Sequence, residues 1–223
     1  CLIVLFVLSM SAVATAAPWP EMRVRLDVLA APAEALGTTS RELIALQPFT
    51  PPPPELYAAG VAVDFAAGLA RERPLAKTAE FAAQRPATSG LRALESAAAG
   101  DQPYELLLLD SAGRILEGTG TNFWAVRDGT VYTAGENVLE GITREILLQI
   151  IPSLGLPLRL EAVAAAGIGA LDEAALSGSS RAFLPVVSIA GQPVGDGRPG
   201  PVSRRILAAY NAFVAENIKT ANP

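Results

Sequence analysis

Between Met22 and Val28 apolar and charged positions alternate one for one. Met22, Val24, Leu26 and Val28 oppose Arg23, Arg25 and Asp27, which is the period of a half-buried β-strand. Arg41 to Phe49 predicts a second strand. The run Pro51-Pro52-Pro53-Pro54 lacks backbone donors and predicts an extended linker or domain crossing. Beyond it, Val61 to Phe65 reads as a short strand, and Lys77 to Gln84 and Leu91 to Ala99 read as helices separated near Pro86. Two hairpins follow. Glu105 to Asp110 and Arg114 to Glu117 flank Ser111-Ala112-Gly113, and Asn122 to Arg127 and Thr130 to Thr133 flank Asp128-Gly129, where glycine supplies the positive φ of a tight turn. Gly141 opens a helix in which Ile142, Ile146, Leu147, Ile150 and Ile151 recur on one face. Leu158 to Ala162 and Phe183 to Ile189 predict strands. Val202 to Ile218 predicts a closing amphipathic helix with Ile206, Tyr210, Phe213 and Val214 inward. Strands and helices thus mix along the chain, which predicts an α/β protein of one large domain, or of one domain plus part of another.

Composition sharpens this picture by exclusion. The 223 residues are 51 % hydrophobic, enough to bury a sizeable core. A net charge of −5 and a pI near 4.9 leave no basic surface of the kind that neutralises nucleic-acid phosphates. The absence of histidine removes Ser-His-Asp and Cys-His nucleophile systems and His-ligated zinc. The single cysteine, Cys1, has no internal disulfide partner, and no metal site is expected. Residues 1–20 carry no charge, and this apolar head has three readings: an incomplete or misread start, a buried helix, or a secretory signal lacking its basic n-region. It is marginal in length for a membrane span. The available chemistry is therefore that of lysine, carboxylates, hydroxyls or a cofactor.

Four places carry that chemistry. Lys77 and Lys219 are the only lysines among 17 basic residues, and Lys219 lies in the C-terminal tail. A leftover surface lysine is the ordinary reading. The functional one is that arginine replaces lysine at a solvated face but cannot act as an amine nucleophile. Glu117, by itself one solvated acid among 22, ends an apolar strand before Gly118-Thr119-Gly120-Thr121, where small residues allow a planar ring to approach the backbone. Gly141-Ile142-Thr143 places free N–H groups and a helix dipole at a helix start, an arrangement suited to an anion though common to plain helix ends. Leu176 to Arg181 reads as a hydroxyl-rich turn, and Ser179-Ser180 alone would be an ordinary one.

In that order and at those intervals the patches resemble the fold-type IV aminotransferases, which use pyridoxal 5′-phosphate. Arg71-Glu72-Arg73-Pro74-Leu75-Ala76-Lys77 is similar to the approach to the family's Schiff-base lysine. The stretch from Ile189 to Val202 is similar to its closing hairpin and last helix. The resemblance covers about residues 60 to 215. It implies the D-amino-acid aminotransferase-like fold, with residues 1–66 a partial small domain bearing the apolar head and 67–223 the large cofactor-binding domain. It implies Lys77 as the catalytic amine, Glu117 as partner of the pyridine nitrogen, Ile142, Thr143 and Ser179 as phosphate contacts, and the Ser180 amide as a substrate-carboxylate contact. The implied reaction is amino transfer between an amino acid, branched-chain or similar, and a 2-oxo acid, in a cytoplasmic homodimer without nucleic-acid or membrane partners. An aminodeoxychorismate lyase-like activity, a D-amino-acid substrate, an amine transaminase and a truncated non-catalytic homologue stay open. Thr78-Ala79-Glu80-Phe81 departs from the branched-chain members, which carry a tyrosine shortly after the lysine. Glu140 replaces a frequent proline.

Overall fold

The computed structural model describes residues 22–69, 76, 78–84 and 103–221. The chain divides into two compact units at the proline run, residues 1–51 and 52–223. In the first, β1 (Met22–Val28) and β2 (Glu42–Pro48) form an antiparallel hairpin in the register Met22↔Pro48 to Val28↔Glu42. The alternation of β1 predicted the strand, but Val24, Leu26 and Val28 are exposed. A short 3-10 turn, Glu34–Leu36, lies between the two strands.

The second unit opens with α1 (Pro54–Ala59) and β3 (Val61–Phe65). The last proline of the run therefore starts a helix rather than extending the linker, because its missing N–H is no loss at the first helical position. Next come α2 (Ala79–Gln84), β4 (Glu105–Leu109), β5 (Ile115–Gly118), β6 (Asn122–Arg127) and β7 (Thr130–Tyr132). They are followed by α3 (Ile142–Ser153), β8 (Leu158–Arg159), β9 (Glu173–Gly178), β10 (Ala182–Ile189), β11 (Gln192–Pro193) and α4 (Pro201–Ala221). Strand β3 pairs in parallel with both β4 and β10, so this segment belongs to the second unit's sheet and not ahead of it. The helix predicted over Leu91 to Ala99 lies outside the described residues.

Six strands close on themselves in the order β10-β3-β4-β5-β6-β9, with β9 returning to β10, and closure removes the free edges of an open sheet. Strand alternation then sorts the core. Phe123, Ala125, Ala174, Leu176, Leu184 and Val186 point into the ring with Val61, Val63 and Leu107. Trp124, Val126, Ala175 and Phe183 point outward, under Leu147 and Ile151 of α3 and Ile206 and Tyr210 of α4. Strand β6 is thus covered on both faces, which is why F-W-A-V reads as a continuous apolar run.

Three expectations fail locally. Ile142 does not join the buried face of α3. It is 78 % exposed, and Thr143 and Arg144 are buried in its stead, because the first turn overhangs a cleft and Arg144 donates back to the Ala134 carbonyl at 2.8 Å. Phe213 is also exposed on α4, while Ser203 is buried under its first turn. Strand β9 falls partly where a turn was predicted, and the turn itself shrinks to Ser179–Arg181. Small residues, Ala174, Ala175 and Ser177, hide this strand from a hydropathy reading although all are buried.

Candidate functional site

The site is built on the outer side of the ring at one end of β5. Leu108 pairs with Glu117 but Leu109 pairs with Ile115, so Leu116 is an extra residue in β5. A bulge of this kind re-aims side chains: Ile115 faces the interior cluster while Glu117 faces the opposite side with Asn122, its partner in β6. Glu117 is buried. Its Oε2 accepts from the Leu139 amide at 3.1 Å and from Asn122 Nδ2 at 3.4 Å, and the same Nδ2 donates to the Leu139 carbonyl at 2.7 Å. Asn122 thus both braces the loop before α3 and touches the carboxylate.

The start of α3 comes to the same place for a steric reason. A Cβ on Gly141 would sit 2.6 Å from Asn122 Oδ1, so only glycine lets the helix begin against β6. Gly141 is in extended backbone, and no side chain caps the helix, leaving its first amides open to a ligand. Glu140 is exposed, its charge in solvent. Beside β6, β9 and β10 are joined by a tight three-residue loop. Arg181 N–H donates to the Gly178 carbonyl at 3.0 Å, and Ala182 follows at φ 51°, the left-handed residue such loops require.

Glu117, Ile142, Thr143, Ser179 and Ser180 all line one cavity of about 230 Å³, together with Thr119, Gly120, Thr121 and Asn122 of the β5–β6 turn. Five sequence-predicted residues from three separate stretches are thus gathered. Lys77 lies outside the described residues. Its neighbour in sequence, Thr78, lines the cavity and accepts at Oγ1 from the Phe81 amide at 3.2 Å, capping α2, and Phe81 adds a buried ring to the wall. Sequence reasoning did not assign Thr78, Leu139 or Ser177 to the site. Ser177 could have been found only through pairing, since it stands opposite Asn122 and accepts from Trp124 Nε1 at 2.9 Å.

The lining combines the buried Glu117 carboxylate with a set of donors, the first amides of α3 and the serine hydroxyls. A molecule that carries both a proton donor and an anion matches this lining. Behind the wall, Thr121 Oγ1 is buried with no hydrogen-bond partner among the described residues.

Comparison with known proteins places the chain. Residues 9–189 match the amino-transferase class IV family. A branched-chain-amino-acid aminotransferase of Escherichia coli (strain K12) is 36 % identical over 108 residues, 48 % of this chain and 35 % of that protein. A D-alanine aminotransferase of Staphylococcus haemolyticus is 34 % identical over 102 residues, 45 % of this chain and 36 % of that protein. The chain thus spans about a third of the length of the curated relatives it matches. The crystal structure of a T.th. branched-chain amino acid aminotransferase with pyridoxamine 5′-phosphate superposes with a TM-score of 0.64 at 27 % identity, covering 76 % of this chain and 56 % of that one.

Proposed function

The chain belongs to the amino-transferase class IV family, and on that premise we propose that its cavity holds pyridoxal 5′-phosphate and serves amino transfer between an amino acid and a 2-oxo acid. The observation that carries this reading is the meeting of Glu117 with the α3 start and the serine turn around one cavity. Pyridoxal phosphate has a ring nitrogen that takes a proton and a phosphate that takes N–H and O–H donors, and the lining offers a partner for each.

When bound, the cofactor supplies an electron-withdrawing ring that makes the α-proton of an amino acid acidic. The chain's residues do the rest. Glu117, fixed by Asn122 and the Leu139 amide, keeps the proton on the ring nitrogen. The amides of Ile142 and Thr143 and the hydroxyl of Ser179 hold the phosphate, and the Ser180 amide receives the substrate carboxylate. Lys77, adjacent in sequence to the cavity-lining Thr78, supplies the amine for attachment and then moves the proton as general acid and base. Phe81 closes the wall against water without the hydrogen bond a tyrosine would offer.

The substrate we favour is a branched-chain or similar amino acid, which the Escherichia coli relative's name supports, with D-alanine the rival named by the staphylococcal one. A homodimer in the cytoplasm, with both subunits at the site, completes the reading. Among the described residues no helix is long and apolar enough to cross a membrane.

The test is chemical. Protein incubated with pyridoxal phosphate and reduced with borohydride should carry the label on Lys77 by peptide mapping; a label on Lys219, or none, overturns the assignment. Glu117→Gln should keep most of the cofactor affinity and slow α-proton removal at least about tenfold in single turnovers, about 1.4 kcal/mol in the barrier. Product analysis with L-leucine, D-alanine and aminodeoxychorismate separates transfer on either hand from a lyase, and light scattering reads the oligomer.

A further inference from the structure

One buried charge pair near the cavity has no place in the chemistry above. Glu105, at the start of β4, is fully buried, and Arg181, at the end of the serine turn, is 5 % exposed. Arg181 Nη1 donates to Glu105 Oε2 at 3.2 Å. The other carboxylate oxygen, Oε1, takes the hydroxyl of Thr119 and the amide of Leu106, the latter at 3.2 Å. Thr119 is itself tied down, its amide donating to the Leu106 carbonyl at 2.9 Å. On its far side, Arg181 lies over the Tyr104 ring at 5.3 Å, and its carbonyl accepts from the Tyr57 hydroxyl at 3.1 Å.

The pair is poorly arranged as a source of stability. Arg181 Nε and the Tyr104 hydroxyl are buried without partners among the described residues, and a buried ion pair with incomplete hydrogen bonding is commonly matched or bettered by apolar side chains. What it does have is reach. Glu105 lies 76 positions from Arg181 and 14 from Thr119, and these two belong to neighbouring turns, those before β6 and after β9, that both line the cavity. Gly118 is shaped by the same group: a Cβ there would meet Thr121 Oγ1 at 2.1 Å and Glu105 Cγ at 2.9 Å.

We propose that Glu105 is a positioning residue that couples the β5–β6 turn to the serine turn beside it, one carboxylate oxygen holding each, and so fixes how these two parts of the cavity lining sit against each other. The coupling follows from contacts in the ligand-free protein. Its consequence for cofactor binding rests on the proposed reading of the cavity. A turn held only by its own backbone would let Ser179 and Ser180 drift from the α3 start, and displacements of about an ångström at such contacts weaken binding and turnover severely.

Hydrogen exchange of the ligand-free protein, read by mass spectrometry, tests the coupling without any assumption about the ligand. Thr119→Val removes only the hydroxyl arm and leaves the ion pair in place. Exchange should rise at least threefold in the peptide spanning Leu176 to Ala182, as well as in the substituted turn, and Thr119→Ser should restore both. A rise confined to residues 118–122, or one spread evenly over the whole chain, overturns the proposal. Pyridoxal phosphate titration forms the second arm. Thr119→Val should weaken binding at least fivefold and Thr119→Ser should recover it. Should the parent protein show the exchange coupling but bind no pyridoxal phosphate, the proposed function fails and the coupling stands. Should it bind pyridoxal phosphate while exchange at Leu176 to Ala182 ignores Thr119→Val, the coupling fails and the function stands.

Discussion

The two ends of β5 both rely on an acid, an arginine and a glycine, yet they are opposite constructions. At the β4–β5 end, Arg114 Nε contacts Asp110 Oδ2 at 2.7 Å across four positions, at the surface, and Gly113 turns the chain at φ 73° with nothing within 4 Å of where a Cβ would stand. At the β5–β6 end, Glu105 joins Arg181 from a distant strand, fully buried, and Gly118 is hemmed in on the side where its Cβ would be. The first end is open to solvent, and its ion pair and turn come from one short stretch, with a brief backbone contact to residues 163–165 as its long-range tie. The second is assembled from four stretches of chain and lines the cavity. The candidate site sits where the contacts are long-range, because only these can bring Glu117, the α3 start and the serine turn together.

This contrast predicts unequal costs, and the largest belongs to Glu105. Replacing it with alanine strands the Arg181 guanidinium in the interior and leaves the Thr119 hydroxyl without its acceptor, a loss of about 3–5 kcal/mol. Urea unfolding measures it, and a loss below about 1 kcal/mol would show that water reaches the pair and erase the distinction between the two ends. Gly118→Ala comes next, at about 1–3 kcal/mol, because its methyl group meets Thr121 Oγ1 and Glu105 rather than open space. Combining it with Thr121→Ala should recover part of the loss, since the Thr121 hydroxyl has no partner among the described residues to forfeit while Glu105 Cγ still stands 2.9 Å from the new methyl group.

The same contrast explains what was legible in the sequence. The outer end was readable because the determinants of its turn are adjacent: Ser111-Ala112-Gly113 between two apolar strands announces a turn. At the inner end Glu117, Ile142, Thr143, Ser179 and Ser180 were found through a family resemblance, and the structure gathers all five around one cavity. Their neighbours Glu105 and Arg181 passed as two charges among 39, since nothing in local spacing says that a glutamate opening an apolar strand will be buried against an arginine from another hairpin. Strand β9 escaped for a related reason. Its burial is enforced by pairing with β6 and β10, not by large apolar side chains, so tertiary context decided what hydropathy could not. The exposed Ile142 likewise obeyed its position over the cleft and not the helical period.

A smaller effect is expected at Gly113. Alanine there meets no atom, so its cost is that of the left-handed backbone alone, about 1–2 kcal/mol, and asparagine, which tolerates that region better, should cost less. The comparison with Gly118 is then direct: no second-site change should rescue Gly113→Ala, whereas Thr121→Ala partly rescues Gly118→Ala. Unfolding curves of the four variants decide it. Rescue of Gly113→Ala by Thr121→Ala would mean that the two ends of β5 are not independent.

Asp110 should give the smallest effect and the clearest pH signature. The Arg114 amide, donating to Oδ1 at 2.8 Å, is the chief reason its carboxyl ionises below the usual range, partly opposed by desolvation and reinforced by the Arg114 side chain and the Ala112 amide. A carboxyl depressed in the folded state adds stability above its unfolded pKa, near 3.8, and loses it as pH falls through the lower folded value. Asp110→Asn should therefore cost less than about 1 kcal/mol at neutral pH, as a surface pair does, and the gap between parent and variant should close from about pH 4 downward. The gap should also shrink in salt. Denaturation at pH 7 and pH 3, each with and without added salt, measures both. A difference undiminished at pH 3 would place the Asp110 contribution in packing, and the outer end of β5 would then resemble the inner one more closely than its exposure implies.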